Sequence, residues 1–183
     1  VYFIIADVAG KGIHAGMVMA KASTLFEILA RDKVDVDEMA FHMNNDLHLT
    51  KTGGMFVTSI IGNYNIKSDE VTWVNAGHQP ALLRDSKGNF EEFESKSPPL
   101  GVIKQNSKNE YFVHKSNLNG DRFYAFTDGL SESLDKNNKE LLRNRIETPK
   151  NYSETITSII SIIKDIENKN KYSRTIKSII RSC

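Results

Sequence analysis

Two carboxylates occupy the same kind of place in this sequence. Asp7 follows the apolar run Phe3-Ile4-Ile5-Ala6 and precedes Gly10-Lys11-Gly12, and Asp128 follows Phe123-Tyr124-Ala125-Phe126-Thr127 and precedes Gly129. A carboxylate delivered to the end of a buried strand, beside small residues that admit backbone carbonyls and water, suits a hard cation such as Mg²⁺ or Mn²⁺. The same placement serves a turn or a helix cap, so each aspartate taken singly leaves both roles open. Lys11, flanked by glycines, can hold an anionic phosphoryl group or stand in solvent. It is not a P-loop lysine, because the GxxxxGK[ST] spacing is absent. His14, at a helix start, can touch a substrate and donate a proton, or make a local hydrogen bond. His78, in Ala76-Gly77-His78-Gln79-Pro80, reads as a residue that shapes a turn near these groups.

The elements that must position these residues follow from periodicity. Val1 to Ala6 is a short apolar run of β-formers and reads as a buried strand. It opens the chain abruptly, which implies that something upstream is missing. From Ala15 to about Arg31 the residues are strong helix formers without proline, and a second helix spans Asp37 to Leu49 with Asp37 and Glu38 in its first turn, where the helix dipole favours acids. Strands are then expected at Met55 to Tyr64, Val71 to Asn75, Ala81 to Arg84, Phe90 to Phe93, Tyr111 to His114 and Arg122 to Phe126, with Asp85 to Asn89 as a hairpin loop. Isoleucines at 156, 159, 160, 163 and 166 mark a helix over Tyr152 to Glu167, and a last strand is expected at Thr175 to Ile180. Strand, two helices, many strands, helix and strand make an α+β layered domain rather than alternating βαβ units. One domain accounts for all 183 residues.

Composition narrows the class. Hydrophobic residues are 39% and charged residues 26%, the make-up of a folded domain rather than of a disordered or fibrous chain. Net charge is only +1, which gives no general reason to expect a nucleic-acid partner. The charge is uneven, +6 over residues 136–183 and −5 before them, yet no aromatic-interleaved basic module accompanies the basic segment. Cys183 is the only cysteine, so no intrachain disulfide and no cysteine-based zinc site can form, and a reducing, cytoplasmic setting is expected. No uninterrupted apolar run reaches the roughly 18 residues of a membrane span.

Asp7-Val8-Ala9-Gly10-Lys11-Gly12-Ile13-His14-Ala15 resembles the DVxGKGxxA element of the bacterial PPM-type serine/threonine phosphatases, which are related to protein phosphatase 2C and include the stage II sporulation and stress-response regulators. Four more elements follow in the order of that family: Gly54-Met55-Phe56-Val57-Thr58, Asn75-Ala76-Gly77-His78-Gln79-Pro80, Pro99-Leu100-Gly101 and Thr127-Asp128-Gly129-Leu130-Ser131-Glu132. Each is short, but five in order over residues 3–134 are specific. The resemblance implies a four-layer αββα sandwich with two Mn²⁺ or Mg²⁺ ions between its sheets. It further implies that Asp7 bridges the metals, that Val8 offers its backbone carbonyl and that Asp128 binds one ion, whereas Lys11 and His14 are candidate substrate contacts on their own chemistry alone. A metal-activated water would then attack the phosphorus of a phosphoserine or phosphothreonine on a protein, possible because bound cations bring a water's pKa from 15.7 to near 7. By the same analogy the substrate could be a phosphorylated anti-sigma-factor antagonist, and the full-length protein could carry an upstream sensor domain.

Two family features are missing. The acidic GGDxYD element of the family's N-terminal strands would lie before Val1, so the site is expected to be incomplete. The family's Asp-Asp-x-Thr element aligns with Tyr172-Ser173-Arg174-Thr175, and neither a phenol nor a hydroxyl replaces an anionic ligand of a hard cation. The alternatives to a working phosphatase are therefore a phosphatase-fold binding or regulatory module with impaired turnover, or a fragment of an active enzyme.

Overall fold

The computed structural model describes residues 1–50 and 54–127, and Val1–Thr127 form one compact unit. The order of elements is β1 (Tyr2–Val8), α1 (Gly12–Arg31), α2 (Val36–Leu49), β2 (Val57–Asn65), β3 (Glu70–Ala76), β4 (Ala81–Arg84), β5 (Phe90–Phe93), a 3₁₀ turn (Lys108–Glu110), β6 (Val113–Asn117) and β7 (Arg122–Tyr124). The strands make two antiparallel sheets, β1-β2-β3-β6 and β5-β4-β7. The helix expected over Tyr152 to Glu167, the strand over Thr175 to Ile180, and Asp128, Tyr172 and Ser173 lie outside the described residues.

Side-chain alternation along β1 and β2 builds two cores from one sheet. Tyr2, Ile4, Ala6 and Val8 of β1, with Val57 and Ile61 of β2, pack against the helices through Val18, Ala22, Met39, Met43 and Leu47. The opposite row carries Phe3, Ile60 and Tyr64, which meet the second sheet through Ala81, Leu83, Phe93 and Phe123. Helices, first sheet and second sheet are three of the sandwich's layers.

Trp73 is fully buried in the seam between the sheets. It meets Phe93 and Phe123 edge-on at 5.1 and 5.0 Å and stacks on His114 at 5.1 Å. Aromatic burial of this kind is a large part of what holds two sheets together. Gly62, the cross-strand partner of Phe3, is needed here. A methyl group on it would lie 2.2 Å from the Phe3 ring, and that ring is itself held against Phe123.

Several bounds differ from those read in the sequence, each for a tertiary reason. β1 runs on to Val8, so Asp7 lies within the ladder, opposite Thr58, rather than beyond the strand. α1 starts at Gly12, three residues before Ala15, and β2 starts at Val57 rather than Met55. β6 is shifted to 113–117, because Tyr111 turns into the helix-side core while β6 follows β3 from Glu70 to Val74. β7 stops at Tyr124, since its partner β4 is preceded by Pro80, which has no N–H to extend a ladder. α1 is also long and apolar enough, by length and composition only, to cross a membrane, although Lys21 and Glu27 interrupt its apolar residues. In this structure it packs on α2 and β1.

The end of α1 is a Schellman cap built without glycine. Val34 N–H donates to Leu29 O and Lys33 N–H to Ala30 O, at 3.1 and 3.2 Å, with Lys33 in the left-handed region at φ 56° and Val34 packed into the core. A side chain there strains the backbone, so Lys33→Gly should stabilise the domain by about 1 kcal/mol in urea unfolding; an unchanged or lower midpoint contradicts this.

His114 generates a second prediction. It is buried among Trp73, Phe93 and Phe112, and burial, then repulsion from Lys96, lower its pKa from 6.5, with the Glu94 backbone opposing. Below about pH 6.5 the unfolded chain takes up a proton that the folded chain resists. The His114 contribution to stability is thus fully present above that pH and is lost as the pH falls through the folded-state value. His114→Phe should flatten the decline of thermal midpoint on that acid side, and an unchanged slope would refute the assignment.

Candidate active site at the end of the inter-sheet seam

Asp7 is the last member of the row that begins with Phe3 and Ile5 on the seam-facing side of β1. Phe3 is packed in the aromatic core, whereas Asp7 is exposed, so it stands where the seam opens to solvent. Its neighbour Val8 points the other way, into the helix-side core. A carboxylate and adjacent backbone carbonyls are oxygen donors of the kind Mg²⁺ and Mn²⁺ select. Among the described residues no group of three or more His, Cys, Asp or Glu side chains gathers. The donor chemistry therefore fits a hard cation, while the described residues supply only part of a ligand set.

Lys11 and His14 lie just beyond. Lys11 is extended, at φ −136° and ψ 160°, and precedes the first residue of α1. His14 is in the first turn, and both are exposed. With no acidic side chain in that turn, the N-terminal end of α1 keeps its favourable field for an anion. Neither side chain hydrogen-bonds to Asp7, so the structure leaves them near Asp7 in sequence without fixing them as substrate ligands.

His78 shapes a turn, as expected, and its side chain makes bonds as well. It is buried, and its imidazole joins β2 to the segment that leaves β7: Nδ1 lies 2.9 Å from Thr58 Oγ1 and Nε2 lies 3.0 Å from Phe126 O. Its backbone N–H donates to Asn75 Oδ1 at 2.8 Å, and Asn75 Nδ2 donates to Gln79 O at 3.0 Å. Two buried polar side chains four residues or fewer apart around a glycine were the available signal. Thr58, opposite Asp7, also comes within 3.5 Å of Asp7 O.

Of the remaining segments quoted from the sequence, those at 54–58 and 99–101 meet beside the end of β1, while residues 128–132 lie outside the described residues. Phe56 O accepts from Ala9 N–H at 2.9 Å, Val57 and Leu100 exchange backbone bonds at 2.9 and 2.8 Å, and Gly101 N–H donates to Asn44 Oδ1 of α2 at 2.8 Å. Gly77 donates to Ser95 Oγ at 2.7 Å. With φ +68°, and with Pro99 Cγ 2.4 Å from where a methyl would stand, position 77 admits only glycine. Gly77→Ala should cost about 2 kcal/mol or more in chemical denaturation; a loss under about 0.5 kcal/mol would show that the turn relaxes freely.

An antiparallel two-sheet core with a helix pair on one face is the fold of PP2C-type phosphatase domains. Solved structures agree on the fold: the RsbU and RsbW domains of Rv1364c from Mycobacterium tuberculosis (TM-score 0.68, 22% identity, 90% of this chain and 42% of that one); the PP2C phosphatase domain with a regulatory fragment of SpoIIE from Bacillus subtilis (0.58, 16%, 87% and 48%); and the catalytic domain of the serine/threonine phosphatase PstP with two manganese ions (0.56, 14%, 88% and 80%). The chain belongs to the stage II sporulation protein E (SpoIIE) family, whose model matches residues 1–172. Among curated relatives, the phosphoserine phosphatase RsbU of Bacillus subtilis is 28% identical over 134 residues, covering 73% of this chain and 39% of RsbU. The chain spans well under half the length of the curated relatives it matches.

Proposed function

We propose that this domain is a metal-dependent protein phosphatase acting on phosphoserine or phosphothreonine of a bacterial regulatory protein. The observation that carries the reading is the place of Asp7: a carboxylate in a DVxGKGxxA run, paired with Thr58 at the solvent end of the inter-sheet seam. Membership of the SpoIIE family and the likeness to a phosphoserine phosphatase support it, and the two manganese ions of the PstP structure support the cofactor class.

On this reading Mn²⁺ or Mg²⁺ would be held by Asp7, the Val8 carbonyl and Asp128. Such ions, when bound, make a nucleophilic water available near neutral pH and stabilise charge on phosphoryl oxygens. This chain's part is to orient Asp7 through its ladder with β2, and to leave Lys11 and His14 exposed where an anionic phosphoryl group would approach. The substrate would be a phosphorylated signalling protein, an anti-sigma-factor antagonist being the analogue that the family suggests, and the work would be done in the cytoplasm.

The test is Mn²⁺-dependent hydrolysis of p-nitrophenyl phosphate and a phosphoserine peptide by the native chain, Asp7→Asn, and the double variant Tyr172→Asp/Ser173→Asp. Asp7→Asn should lower kcat/KM by at least ~100-fold, and the double variant should raise Mn²⁺-dependent turnover. Turnover indifferent to Mn²⁺ or to Asp7 refutes the proposal. Turnover confined to the double variant supports the second reading, a phosphatase fold in which Tyr172 and Ser173 have replaced an acidic pair.

A further inference from the structure

We infer that His78 is a positioning residue for the Asp7 site, clasping the two sheets at the end of the seam. This rests on the metal-site reading of Asp7 given above. The clasp is assigned by its partners. Phe126 O can only accept, so Nε2 carries a hydrogen and donates to it across 3.0 Å. In the neutral ring Nδ1 then holds a lone pair, and the Thr58 hydroxyl donates to it across 2.9 Å. One hydroxyl has one proton, so the 3.5 Å approach of Thr58 Oγ1 to Asp7 O is a packing contact that locates the Asp7 peptide.

The two partners belong to different layers. Thr58 is on β2 of the first sheet, directly opposite Asp7. Phe126 follows β7 of the second sheet, and in the sequence it comes two residues before Asp128. The imidazole therefore fixes how far the backbone leaving β7 stands from the Asp7 end of β2. Its own position is set independently, by Asn75 Oδ1 accepting its backbone N–H and by the Gly77 turn against Pro99. A residue that merely filled space would need neither nitrogen paired. Groups that hydrogen-bond metal ligands directly are worth roughly 10–100-fold in metal affinity when lost; His78 acts one residue further out, through Thr58, which puts its expected effect at the lower end of that range.

Two variants separate the arms. His78→Gln keeps a donor near Nε2 for Phe126 O and loses the Thr58 acceptor; His78→Asn keeps an acceptor near Nδ1 for Thr58 and loses Phe126. Mn²⁺ affinity is read without turnover, by calorimetry and by loss of the free-ion EPR signal, on the full chain, with thermal midpoints to confirm folding. Both variants should bind Mn²⁺ ~10-fold more weakly. Thr58→Val should weaken binding in the native background, have no further effect in His78→Gln, and be rescued by Thr58→Ser. Nitrogen-detected NMR of the metal-free chain should show the Nε2–H tautomer. Folded His78→Gln and His78→Asn variants with native Mn²⁺ affinity, or an Nδ1–H tautomer, overturn this inference while leaving the Asp7 site standing. A native chain that binds no Mn²⁺ overturns both.

Discussion

The spacing of the two sheets is the constraint on which the rest depends. It is set by Trp73, wedged among Phe93, Phe123 and His114, and by the Phe3 ring lying over Gly62. Burying such rings contributes roughly 1.5–3 kcal/mol each, set against the desolvation of the buried His114 imidazole stacked on Trp73. The row of side chains that faces the seam must change character where it reaches solvent. Asp7 and Thr58 are that change on the first sheet, and the His78 bridge to Phe126 O is what replaces aromatic packing as the tie between layers. A packed seam that ends in a hydrogen-bonded rim fixes the backbone of Asp7 in the ladder with β2 and leaves its carboxylate exposed to solvent.

The helices reach the same rim through a second set of bonds. Asn44, fully buried in α2, accepts from Gly101 N–H and donates to Ile103 O, and Asn45 does the same with the backbone of Gln105. The loop thus held passes Leu100 to β2 at Val57, one residue from Thr58. Lys21 ties α1 to the C-terminal end of α2 by donating to Asp46 O at 2.7 Å and to the Thr50 hydroxyl, satisfying carbonyl and hydroxyl groups that a helix end leaves open. Helix pair, loop and sheet are joined by directional bonds to buried amides, which are costly to leave half made.

Much of this was legible in the sequence, and the limits have physical causes. β4 and β5 fall on 81–84 and 90–93, as read, because the Asp85 hairpin loop is locally determined: Asp85 takes both Asn89 N–H and Asn89 Nδ2–H at 2.8 Å. Strand ends were misplaced where a distant partner decides, as at β6 beside β3 and β7 beside β4. The strand that carries Asp7 was legible as an apolar run, but its continuation past Asp7 to Val8 was not, because the pairing with β2 decides it. His78 was read only as a turn residue, since its partners Thr58 and Phe126 are 20 and 48 residues away and no spacing rule connects them. The reasons for Gly77 and Gly101 are equally nonlocal, one being Pro99 and the other Asn44 and Leu47.

The most direct test of the account is a crystal of the chain grown with Mn²⁺ and measured at the manganese edge. The account predicts an anomalous peak about 2.0–2.2 Å from an Asp7 carboxylate oxygen, at the solvent end of the seam, and no such peak at that place in Asp7→Asn crystals. Manganese bound only elsewhere on the surface, or an Asp7 side chain engaged with protein groups instead of the ion, would contradict it.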